Sequence, residues 1–132
     1  MSTFNPNLCE VIYNPQFQAC SIIYKAYVKS EEFRRVNKYS LEVIGDQPFK
    51  RMLRDMRLLS NLPSADREWF KAEVAPTLVA KGLKFLAIVV PTATTAHNFF
   101  EKFFDYAIPK TVTVRYFHNE KEAQQWLFEA RN

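Results

Sequence analysis

Glycine is almost missing from this chain: Gly45 and Gly82 are the only two in 132 residues. A phosphate-cradling loop or a dinucleotide fingerprint needs several closely spaced glycines, so both are excluded, and no cofactor is expected. Histidine is as scarce. His97 and His118 fall in separate predicted elements, and no Cys/His spacing resembles a zinc site, so no metal is expected. Cysteine also occurs only twice, which makes no disulfide framework. With a hairpin turn from Asn14 to Phe17, Cys9 falls opposite Ile22 and Cys20 opposite Val11, so two reduced, inert thiols are expected. No apolar stretch approaches the roughly 20 residues of a membrane span. The longest, 85–91, is strand-length, and the polar segment 1–7 lacks a signal-peptide core, so a cytoplasmic location is expected.

What the chain has is core material. Its hydrophobic fraction is 48%, with 12 Phe, and charged residues make up 24%, a composition for one folded domain over residues 1–132. The net charge of +4 is uneven: residues 25–57 hold nine Lys/Arg against five Asp/Glu, and the remainder nets zero. Such a region can steer an anionic partner, although a solvated helix face explains it more simply. Lys25, Lys29, Arg34, Arg35 and Lys38 lack interleaved exposed aromatics, so nucleic acid is not an expected partner.

Segments 10–13 and 19–27 read as strands joined by an Asn14-Pro15 turn. Ser30 is placed as an N-cap, with Glu31 and Glu32 in the first turn and an apolar stripe of Phe33, Val36, Leu41 and Ile44. Gly45 ends that helix, and 49–59 is the third strand. Ser64 is read as the cap of a second helix, which Pro76 should disturb and Gly82 should close. The unbroken run 84–90 reads as a strand buried on both faces. A helix over 92–106, a strand over 112–117 and a helix capped by Asn119, with Glu122 completing a capping box, finish the chain. The order β-β-α-β-α-β-α-β-α predicts an α/β fold. Its sheet has five mainly parallel strands, an N-terminal antiparallel hairpin and four helices.

The stretch "LSNLPSADREWFKAEVAPTLVAKGLKFLAIVVP", followed by a helix and "VRYFHNEKEAQQWL", resembles the SpoIIAA-like STAS domains, in their small stand-alone bacterial branch. The likeness covers about residues 10–127. It is carried by Asp55-x-Arg57, Glu68-Trp69 and Tyr116-Phe117, which mark a fold family and no catalytic signature. It implies a non-enzymatic regulatory or ligand-sensing module, working on an unknown regulatory protein or a small ligand. Sporulation-type antagonists carry a phosphorylatable Ser after an Asp near the third strand. This chain has Asp55-Met56-Arg57 there, with Ser60 and Ser64 only later, so that switch is not expected.

The candidate site follows from topology. Ligands of open parallel sheets bind beyond the carboxyl ends of the strands. Asp55 and Arg57, the Pro91–Thr95 turn with Thr92, Thr94 and Thr95, and His118 in the segment 117–119 should meet at that rim. Helix N–H groups behind the threonines favour an anion, and Arg57 can add a bidentate contact. The plainer alternative is that Arg57 pairs with Asp55 and the threonines cap a helix. A hydrolase or transferase using His118 and Asp55 is the rival reading from another class. The stretch "NFFEKFF" sets Phe99, Phe100, Phe103 and Phe104 on one helix face. That face is core, an apolar pocket or a homodimer interface. A distant structural kinship of STAS with CRAL-TRIO lipid-binding domains keeps a lipid-like ligand open. Trp69 and Trp126 are assigned to the core.

Overall fold

A computed structural model describes residues 5–59 and 62–131. Strands β1 (Cys9–Asn14) and β2 (Ala19–Tyr24) form the antiparallel hairpin. Helix α1 (Ser30–Ile44) leads to β3 (Arg51–Asp55). Helix α2 runs as Ser64–Trp69, passes through a π-helical turn at Phe70–Val74 and continues as Ala75–Lys81. Then come β4 (Phe85–Val89), α3 (Thr94–Ala107), β5 (Thr113–Phe117) and α4 (Glu120–Glu129). Strand order in space equals order in the chain, β1-β2-β3-β4-β5, and every pair after the hairpin is parallel. The predicted fold class is therefore the observed one.

The strands alternate their side chains between two layers. Cys20, Ile22, Met52, Leu86 and Ile88 join the apolar faces of α1, α2 and α3 in the main core. Leu53, Phe85, Ala87 and Val89 face the other way and are covered by Ala123 and Leu127 of α4. With helices on both faces, β3 and β4 are buried along their whole length, as the run of apolar residues in β4 required.

Several local expectations need correction. The hairpin loop is Pro15–Gln18, because Gln18 takes a positive φ of 53° and Asn14 pairs with Ala19. The register is therefore shifted: Cys9 faces Tyr24 and Cys20 faces Tyr13. Both thiols are free and buried, as expected. Ser30 does not cap α1. It is the first helical residue after Lys29, and its hydroxyl donates to Asp66 Oδ1 at 2.6 Å. Ser64 likewise follows an N-cap at Pro63 and makes no cap bond. Asn119 does cap α4, accepting from Glu122 N at 2.8 Å. The third strand is shorter than 49–59, since the chain leaves the sheet at Met56. Ser60 lies outside the described residues.

Pro76 has no N–H to give, and the helix registers this one turn earlier: Ala75 N–H reaches Phe70 O, five residues back. Gly82 ends α2 in the left-handed region at φ 119°, and a Cβ there would press into the carbonyl oxygen of Phe49. Among the described residues, no helix is long and apolar enough to cross a membrane.

Candidate functional site

Asp55 ends β3 in a row with Ile23, Val89 and Phe117. Met56 N–H still donates to Val89 O at 2.8 Å, and then the chain turns. The turn folds Arg57 back onto Asp55: Nε lies 3.0 Å from Oδ1 and Nη2 2.6 Å from Oδ2, and the Arg57 backbone N–H adds a third bond at 3.1 Å. Asp55 is buried, and a buried carboxylate requires such pairing. Hydrogen bonding to Asp55 holds the Arg57 guanidinium above its ordinary range, with the charges of Asp55 and Glu120 adding to the effect. Beside the pair is a depression of about 260 Å³, lined also by Ile23, Tyr24 and the exposed Leu58.

The rest of the predicted rim divides. Thr92 lies outside α3, whose N-cap is Ala93 with no side-chain bond; Thr94 and Thr95 are its exposed first residues. The plainer alternative, that the threonines cap the helix, is therefore not what is observed. His118 places Nδ1 3.2 Å from Val90 O, and its ring is 5.1 Å from that of His97 on α3. His97 Nε2 in turn faces Glu101 Oε2 at 3.1 Å. Asp55 and Arg57 are brought together, whereas His118 packs with the α3 side of the sheet and Asp55 belongs to the α4 side. Among the described residues, no group of three or more His, Cys, Asp or Glu could hold a metal ion.

The aromatic stripe also divides. Phe100 and Phe104 are wholly buried and Phe103 nearly so; Phe103 and Phe104 pack edge-on against Phe70 and tilted against each other, and Phe100 packs edge-on against Phe99. Phe99 is half-buried. Phe99 and Phe103 line a depression of about 200 Å³ between α2 and α3, together with Arg67, Glu68, Lys102 and Tyr106. Tyr106 is shared with a larger depression of about 480 Å³, floored by Ala75, Pro76, Val79, Ala80 and Ala107, with Lys71 and Pro109 at its sides. Tyr106 is 50% exposed and donates its hydroxyl to Glu68, 3.0 Å from each carboxylate oxygen. Lys71 Nζ stands 3.7 Å over the Tyr106 ring, and the Arg67 guanidinium stands 5.4 Å over Phe99. The two depressions share Tyr106 along the seam between α2 and α3, and cations rest on the aromatic walls of this α2–α3 groove.

Sequence reasoning missed two further polar devices. Arg54, in the middle of β3, is wholly buried in the main core. Its Nη2 donates to Asn37 Oδ1 and its guanidinium lies 4.8 Å over Phe70, while Nε and Nη1 have no hydrogen-bond partner. Burial pushes this guanidinium down from its ordinary value and pushes the Cys9 and Cys20 thiols up to about 12. The second device is Asp66, buried at the start of α2 and gripped by Ser30 and by Arg34 Nε at 2.9 Å. Arg34 also stacks on Trp69, which is half-buried, as is Trp126 between Phe85 and Phe117. With Arg35 paired to Glu31 and Glu32, two of the five basic residues of that region already have carboxylate partners.

Comparison with protein-family models, curated proteins and solved structures gives no match.

Proposed function

We propose that this chain is a non-enzymatic, STAS-like regulatory module that works by docking a partner on the α2–α3 groove. The observation that carries the reading is the groove itself: a surface with an apolar floor, an exposed Tyr106 and positioned cations. Loosely packed apolar surface flanked by charge is what a recognition site needs. The rival catalytic pair is less well served. Both Asp55 oxygens are occupied by Arg57, and His118 Nδ1 faces a backbone carbonyl on the other side of the sheet.

The test is a photo-crosslinking amino acid placed at Ala80, at Lys102 or, as a control on α1, at Lys38, in the native host. Discrete adducts are expected from the first two positions only. The same adduct pattern from all three removes the reading.

A second reading keeps the strand-end rim, because a depression does form beside Asp55 and Arg57. The guanidinium has five N–H donors and Asp55 engages two, so three remain for a small anion. Asp55 and Glu120 oppose that anion by charge. Titration with inorganic phosphate decides: amide NMR shifts at Arg57 and Leu58 that vanish in Arg57→Ala support the rim, and unchanged spectra remove it.

A further inference from the structure

We infer that the occupant of the α2–α3 groove is an acidic amphipathic helix supplied by a partner protein. The inference rests on the docking reading above and names its ligand. Charge is the first argument. Arg67, Lys71 and Lys102 line the two depressions against one carboxylate, Glu68, which already accepts the Tyr106 hydroxyl. The two acids of α3, Glu101 and Asp105, do not line the depressions and are engaged by His97 and Tyr116. The lining therefore carries a surplus of positive charge, which favours an anionic partner over a basic one.

Shape is the second. The floor of the larger depression is built from small or rigid residues, Ala75, Pro76, Val79 and Ala80, which leave room for side chains from outside. From Arg67 to Ala80 the helix advances about 20 Å at about 1.5 Å per residue. The two depressions together follow that length of α2, which matches three to four turns of a docked helix with anchors at i, i+3 or i+4, and i+7. It does not close over a compact molecule, whereas pockets for small ligands bury roughly 70–90% of their occupant.

The experiment is selection from a displayed library of peptides of about 15 residues, with the folded protein as bait, followed by affinity measurement. Ala80 is exposed on a helix, so Ala80→Glu leaves the fold intact and puts a like charge against an acidic ligand. The expected peptides carry apolar residues at helical spacing flanked by Asp or Glu. They should lose about tenfold or more on Ala80→Glu, a hot-spot-sized effect. The double variant Lys71→Glu, Lys102→Glu should lose them too. Peptides that depend on Ala80 but are neutral or basic overturn the acidic occupant and leave the docking reading standing. Selected peptides that bind Ala80→Glu unchanged, or no selected peptide at all, overturn both. Ala80-dependent binding to phosphatidylglycerol vesicles, or Ala80-dependent self-association, without an acidic peptide assigns the groove to a membrane or a second copy and overturns the inference.

Discussion

Nη2 of Arg54 donates to Oδ1 of Asn37 across 2.8 Å, tying the middle of β3 to the buried side of α1. Asn37 completes the link by donating its Nδ2 to Phe33 O at 2.9 Å. A guanidinium in the core with one amide partner and an aromatic face is an expensive arrangement, so its two halves should respond unequally to substitution. Asn37→Leu leaves the charge with no oxygen and should destabilise by about 1.5–3 kcal/mol, the worth of a hydrogen bond to a charged group. Arg54→Met removes the charge and keeps much of the volume. It should cost little or stabilise by about 1–4 kcal/mol, as buried ions replaced by apolar residues often do. Urea unfolding of the two variants gives the comparison, and equal losses would contradict it.

Gly82→Ala should lower stability by more than about 1 kcal/mol, since the residue sits at positive φ and its new Cβ meets backbone rather than a movable side chain. Gly45→Ala also sits at positive φ, but its Cβ would stand 3.4 Å from Glu42 O and should cost less. Thermal melts of both proteins read the order.

The thiols make a pH prediction. Burial raises Cys9 and Cys20 from an ordinary value of 9.0 to about 12 in the fold. Between those values the unfolded chain binds fewer protons than the folded one, so stability falls as pH rises from about 9 to about 12 and the thiols contribute no slope below that window. Cys9→Ala combined with Cys20→Ala should flatten this part of the pH profile in denaturant titrations. In the native protein at pH 8, a thiol reagent should label neither cysteine; in denaturant it should label both.

Asp66 holds the start of α2 to α1 through Ser30 and Arg34. Ser30→Ala should cost about 1.5–3 kcal/mol, the worth of a hydrogen bond to a charged group. Asp66→Ala should cost more and should speed hydrogen exchange at the first turn of α2 ahead of the rest of the helix. Uniform acceleration across α2 would show that the grip is not local.

The fold was readable because the strongest signals were continuous. The run through β4 read as a strand covered on both sides, and Asn119 lies three residues before Glu122, whose N–H its side chain accepts. The misplaced caps show where local reading stops. Ser30 and Ser64 stand at helix starts, but the hydroxyl of Ser30 goes to a carboxylate 36 residues away, and no local pattern announces that. The hairpin register depended on Gln18 adopting a left-handed conformation without glycine. Of the candidate site, the Asp55–Arg57 pairing was named from the sequence on the expectation of a shared strand face, but it is the turn after Met56 that folds Arg57 back onto Asp55. The groove was not, because Lys71 and Tyr106 meet only after two helices pack. Arg54 carried one usable signal: a charge between Met52 and Met56 on a strand otherwise fit for the core.

A sheet whose strands lie side by side in the order of synthesis never has to admit a late strand between two earlier ones. Each unit can be laid down on an edge that already exists as the chain emerges from the ribosome, from the hairpin onward. The layers do not finish together, however. Leu53, Ala87 and Val89 wait for Ala123 and Leu127, which come later in the chain. Until the final turns of α4 arrive, a nascent molecule with its main core complete still shows an oily back.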